Sequence, residues 1–139
     1  ADAGVWAADP LNAGCCPVLM VDLYDASAQG PVRDSVKFYR DCRRVLGEVG
    51  VLAVNLFGRH ESFGRNIDNL SKAFDDRVLL LPEIDAGNQI VLAFSGPALA
   101  ITPAQLLARA EAVEARYGLP ARRWARSLTR HAVDGVLHF

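Results

Sequence analysis

Val18-Leu-Met-Val-Asp22-Leu-Tyr-Asp25 is the stretch whose reading decides the fold. Four apolar residues, three of them branched, run straight into an acidic pair spaced D-x-x-D. A short continuous apolar run of this kind is expected of a strand buried on both faces of a parallel sheet. A carboxylate where such a strand ends sits at the carboxyl edge, where open α/β sheets hold their ligands. The same two acids could also begin and cap an ordinary surface loop, because Asp favours turns. The neighbouring segments decide between these readings.

Downstream, Ala26-Ser-Ala-Gln-Gly-Pro31 is small and polar and reads as a loop. Arg33 to Leu46 has helical periodicity, with Val36, Tyr39, Arg43 and Leu46 on one line and Phe38, Cys42 and Val45 beside it. Gly47 is placed to end that helix. Val51-Leu-Ala-Val-Asn55 repeats the pattern of an apolar strand closed by a polar side chain. A helix from Ser62 to Phe74 follows, carrying Phe63, Ile67, Leu70 and Phe74 at helical spacing. Val78-Leu-Leu-Leu-Pro82 is a third strand, Asp85-Ala-Gly-Asn88 a hairpin-type turn, and Gln89 to Phe94 the returning fourth strand. Upstream, Val5 to Ala8 makes a helical turn closed by Asp9-Pro10. The order implies an α/β fold: parallel strands joined by crossover helices, with a final antiparallel hairpin. Thr102-Pro103 is an N-cap with proline at the first helical position, and it opens a helix that stops at Gly118. Pro120 begins another, whose Arg122, Arg123, Arg126 and Arg130 read as a solvated basic face. We assign residues 1–100 to the α/β domain and residues 101–139 to a C-terminal helical extension of it.

The chain has 139 residues, enough for a single core. Fifteen Lys and Arg against sixteen Asp and Glu leave a net charge of −1, which argues against a nucleic-acid partner. No apolar run approaches the roughly 20 residues a membrane helix needs, and the first residues lack the basic start and apolar stretch of a signal peptide. A cytoplasmic protein is expected. Cys15, Cys16 and Cys42 have no zinc-type spacing and read as reduced thiols. His60, His131 and His138 are not spaced as a metal set, so no metal is expected. Arg59 and His60 follow the second strand, where a ligand contact is conceivable beside the plainer role of an exposed helix start.

The order of these end-residues resembles the C-terminal half of the spermidine synthase, or polyamine aminopropyltransferase, family. That family has the Rossmann-like fold of S-adenosylmethionine-dependent methyltransferases. The matching motifs are Val21-Asp22-Leu-Tyr-Asp25, Gly30-Pro31, Phe38-Tyr39, Leu46-Gly-Glu-Val-Gly50-Val51, Pro82 and Gly87-Asn-Gln-Ile90. Ala1-Asp2-Ala3, with Trp6 after it, resembles the family's aspartate-glycine step past its third strand.

The resemblance implies that Asp22 is the catalytic carboxylate, that Asp2 binds the adenine amino group of a nucleoside donor, and that Asp25 and Asn55 contribute to substrate binding. It implies decarboxylated S-adenosylmethionine as donor, a polyamine such as putrescine as acceptor, and a homodimer. The chain departs from the family pattern at Ala26-Ser27, where a proline is usual, and at Asn55, where glutamine is common. It also departs at Leu81-Pro-Glu-Ile-Asp-Ala86, which lacks the family's tyrosine; Glu83 and Asp85 are candidate replacement carboxylates there. No G-x-G-x-G loop with its preceding strand occurs, so the chain is expected to be part of a longer protein that is active only in full. A methyltransferase using S-adenosylmethionine, or a non-catalytic homologue used for binding or oligomerisation, are the alternatives.

Overall fold

The structure, a computed structural model, describes residues 2–24, 33–82 and 87–139. It forms two compact units, Ala1–Pro97 and Ala98–Phe139. In the first unit the elements are α1 (Ala3–Ala8), β1 (Val18–Val21), α2 (Val36–Leu46), β2 (Gly50–Phe57), α3 (Phe63–Phe74), β3 (Val78–Leu80) and β4 (Asn88–Ser95). Each expected strand and helix is present. The helix expected from Arg33 starts later because the Ser35 hydroxyl accepts the Phe38 amide at 3.1 Å and caps α2 there. Residues 83–86, with the first half of the expected turn, lie outside the described residues.

One mixed sheet runs in the order β1-β2-β4-β3. β1 and β2 are parallel, in register from Val18 opposite Val51 to Val21 opposite Val54. β4 runs antiparallel to both of its neighbours. The expected final hairpin is therefore present, but β4 inserts between β2 and β3, so those two strands do not pair. The arrangement is compatible with a Rossmann-like sheet.

The register sends Leu52, Val54 and Leu56 to the same face as Val21, Val91 and Ala93. There they are buried in one cluster with Tyr39, Cys42 and Val45 of α2 and with Leu70 and Phe74 of α3. Each large side chain buried in this way contributes roughly 1.5–3 kcal/mol. The other face corrects an expectation: β1 is not buried on both sides. Val18 and Met20 are 60% and 80% exposed, because β1 is an edge strand of the described sheet.

Two glycines allow the close contacts that aim β1. Gly47, at φ +75°, ends α2, and a Cβ there would sit 3.0 Å from the Gly14 Cα. At Gly50 a Cβ would lie 2.8 Å from the Pro17 carbonyl oxygen, the same oxygen that accepts the Val51 amide at 2.9 Å. Side chains at either position would push β1 off its neighbour.

The second unit holds β5 (Ala100–Ile101), α4 (Pro103–Tyr117), α5 (Ala121–Thr129) and β6 (Leu137–His138), with β5 and β6 paired antiparallel. Both helices were expected, whereas two-residue strands are too short to leave a sequence pattern. Thr102 and Gln105 form a reciprocal capping box at the start of α4. The basic face of α5 is partly neutralised, since Arg122 pairs with Glu114 at 2.8 Å and holds that carboxyl below its usual range.

Candidate active site at the carboxyl ends of β1 and β2

Parallel strands deliver the residues of one face to the same end of the sheet. Continuing the β1–β2 register one step beyond Val21 and Val54 brings Asp22 opposite Asn55. The Asn55 Nδ2 donates to Asp22 Oδ1 at 3.2 Å. This side-chain bond fixes which way the amide faces, and it leaves the Asn55 Oδ1 buried without a hydrogen-bond partner among the described residues. Tyr24 closes the group: its hydroxyl donates to the Asn55 main-chain carbonyl at 3.3 Å. Burial pushes the Tyr24 phenol pKa up, and the nearby Asp22 charge adds to this. Asp22 itself is exposed. Among the described residues, no cationic side chain pairs with it.

Tyr24 belongs to this hydrogen-bonded group, although the sequence pattern did not single it out. A tyrosine inside D-x-x-D at a strand's carboxyl end was the available signal, but nothing in the pattern says that its hydroxyl reaches the next strand. Asp25, Glu83 and Asp85 lie outside the described residues.

Asp2 is placed elsewhere. It caps α1, with Oδ1 accepting the Gly4 and Val5 amides at 2.8 and 3.1 Å, and its other oxygen forms an ion pair with Arg33. The Arg33 guanidinium, followed by the Val5 amide, holds its carboxyl below the usual carboxylate range. Asp2, Arg33, Lys37 and Asp41 line an open cleft of about 260 Å³. Beside it lies an apolar hollow of about 170 Å³, lined by Ala3, Trp6, Leu19, Met20, Leu23 and Phe38 among others. Among the described residues Asp2 shares no hydrogen bond with Asp22.

His60 is tied back into its own turn. Its Nδ1 lies 2.8 Å from the Ser62 hydroxyl and accepts the Ser62 amide at 3.2 Å. Behind Ser62, the Asn66 Nδ2 donates to the Ser62 carbonyl at 2.9 Å, and the Tyr39 hydroxyl donates to Asn66 Oδ1 at 2.6 Å. This buried line of polar groups braces the turn that follows β2.

The cysteines form no disulfide: Cys15 is exposed and Cys42 buried. Burial, with the Asp41 charge added, pushes the Cys42 thiol up to about 12. Among the described residues no cluster of three or more His, Cys, Asp or Glu could hold a metal ion, and no helix is long and apolar enough to cross a membrane. The edge thus offers an accessible carboxylate with one oxygen held by an amide. That arrangement can accept a proton or a cationic hydrogen-bond donor.

No family model matches the chain, and no solved structure matches it. Curated relatives do. The polyamine aminopropyltransferase of Neisseria meningitidis serogroup A is 30% identical over 122 residues, covering 88% of this chain and 46% of the relative. That of Chromobacterium violaceum is 32% identical over 107 residues, covering 76% of this chain and 41% of the relative. The chain therefore spans somewhat under half the length of the curated relatives it matches. Over most of its own length, it is a homologue of the polyamine aminopropyltransferases.

Proposed function

We propose that this chain supplies the amine-accepting side of an aminopropyltransferase site, as the C-terminal half of a Rossmann-like domain in a full protein that is an aminopropyltransferase. The observation that carries the reading is the Asp22–Asn55 pair: a carboxylate at a parallel strand's carboxyl end, oriented by an amide from the neighbouring strand. An amine that attacks a sulfonium-bound carbon must first lose a proton. Asp22 accepts that proton and orients the nitrogen lone pair. The new carbon–nitrogen bond forms as the carbon–sulfur bond breaks, and its electron pair leaves on sulfur as a neutral thioether.

The donor in this reading is decarboxylated S-adenosylmethionine and the acceptor a polyamine such as putrescine. Asp2, beside the apolar hollow at Ala3 and Trp6, binds the adenine amino group, with Arg33 sharing its outer oxygen. Asp25 joins Asp22 in holding the amine, and Asn55 orients Asp22. A homodimer acting without metal in the cytoplasm completes the proposal.

The test is transfer by the full protein from decarboxylated S-adenosylmethionine to putrescine, run beside S-adenosylmethionine as donor. Transfer of an aminopropyl group, reduced roughly 10²–10⁴-fold by Asp22→Asn, is the expected result. Methyl transfer instead would make the protein a methyltransferase of the same fold. No transfer from either donor, or an unchanged rate in Asp22→Asn, would refute the assignment.

A further inference from the structure

We propose that Tyr24 is a second group that touches the amine acceptor, and that it helps select for an ammonium-type ligand. The proposal rests on the aminopropyltransferase reading for its substrate, but its geometry stands apart from the chemical step. Tyr24, Asn55 and Asp22 form a closed loop of contacts. The Asn55 amide donates to Asp22 Oδ1 at 3.2 Å, and the Tyr24 hydroxyl, two residues along the chain from Asp22, donates to the Asn55 carbonyl at 3.3 Å.

The direction of each bond matters more than its length. A phenol has one proton, and Tyr24 commits it to a main-chain carbonyl that can only accept. One Asn55 N–H is likewise committed to the Asp22 carboxylate. What the trio leaves uncommitted is mostly acceptors: the second Asp22 oxygen and the lone pairs of the Tyr24 hydroxyl, beside one remaining Asn55 N–H. Burial and the Asp22 charge both raise the phenol pKa, so this oxygen stays a neutral hydroxyl at physiological pH. A ligand that brings several N–H donors and positive charge complements such a set, whereas an anion or a bare acceptor is repelled. Both bonds are long for their types, as expected of a site whose hydrogen bonds tighten when its ligand arrives.

The experiment uses the full protein and putrescine as the probe. Ring-labelled tyrosine gives the full protein a set of signals that includes Tyr24, Tyr39 and Tyr117, and Tyr24→Phe and Tyr39→Phe identify the first two. Added putrescine is expected to move that signal and leave Tyr39 unchanged. By calorimetry, Tyr24→Phe is expected to weaken putrescine binding about tenfold, the loss of one hydrogen bond to a charged group, with nucleoside-donor binding unchanged. Equal putrescine affinity in wild type and Tyr24→Phe overturns the proposal, as does parallel weakening of both ligands. Putrescine binding that depends on Tyr24 in a protein with no transferase activity would uphold the amine site and sink only the catalytic assignment. An absence of putrescine binding by the wild type overturns the amine site itself.

Discussion

Replacing Asn55 by Val should make the protein more stable and less active, and the two effects have separate origins at one side chain. The Asn55 Oδ1 is buried with no partner among the described residues, and a buried unsatisfied carbonyl costs about 1–3 kcal/mol. Valine removes that oxygen and fits the pleat of β2 better, a preference worth up to about 1 kcal/mol. Against this stands the lost bond to Asp22. Because Asp22 is exposed, water takes the place of the amide and the net loss is about 0.5–1.5 kcal/mol. The balance is a gain of about 1 kcal/mol. With a urea slope of about 1–3 kcal/mol/M for small proteins, the midpoint should rise by about 0.5 M. Activity moves the other way: an unheld carboxylate loses its alignment, and small misplacements cost as much as about 10²-fold in rate. Urea unfolding followed by circular dichroism, with a transfer assay on the full protein, checks both halves. A midpoint that falls below wild type would refute the reasoning, since it would mean that the Asp22 contact outweighs the orphaned oxygen.

Two predictions concern the scaffold behind the site. Tyr39→Phe keeps the ring of a fully buried side chain but strips the partner from Asn66 Oδ1; a stability loss of about 1–3 kcal/mol is expected by denaturant titration, and a change under 0.5 kcal/mol would mean that the line to Ser62 is not structural. Alkylation at mildly alkaline pH should modify Cys15 rapidly and leave Cys42 untouched until the protein unfolds, because Cys42 is buried and its thiol is pushed up to about 12. The sign for stability follows from that direction: the folded state holds the neutral thiol, so this contribution is complete below the unfolded pKa of about 8.5 and declines as pH climbs from there towards 12. Peptide mapping after alkylation reads the first effect, and denaturant midpoints across alkaline pH read the second.

The elements were legible because their signals are local. Apolar runs closed by Asp22 and Asn55, the glycine at Gly47 and the Thr102-Pro103 cap each act within a few residues. Strand order was not legible in the same way. Nothing in Gln89 to Phe94 states that β4 slides between β2 and β3, because hydrophobic pattern encodes burial and not neighbours. The exposed side of β1 was misread for a related reason: Val18 and Met20 have the residue types of a buried strand, and only the sheet order makes β1 an edge. At the site, the ends of the strands carried Asp22 and Asn55 in plain view, whereas the Tyr24 bond spans 31 positions and depends on register.

Register is also what ties the fold's smallest residues to its chemistry. Side chains alternate along a strand, so a slip of one residue between β1 and β2 would turn the partner of Asp22 from Asn55 to a core residue, Val54 or Leu56. The contacts that prevent the slip lie at the opposite end of the strands. The Pro17 carbonyl accepts the Val51 amide, the Gly14 amide donates to the Arg44 carbonyl at 3.0 Å, and Gly47 and Gly50 leave room for the backbones to meet. A few ångströms of rise per residue then carry this fixed start along four paired positions to the carboxyl edge. The glycines need no part in the proposed reaction to be required for it. They set where the strands begin, and the parallel ladder passes that alignment to the carboxylate and the amide at its end.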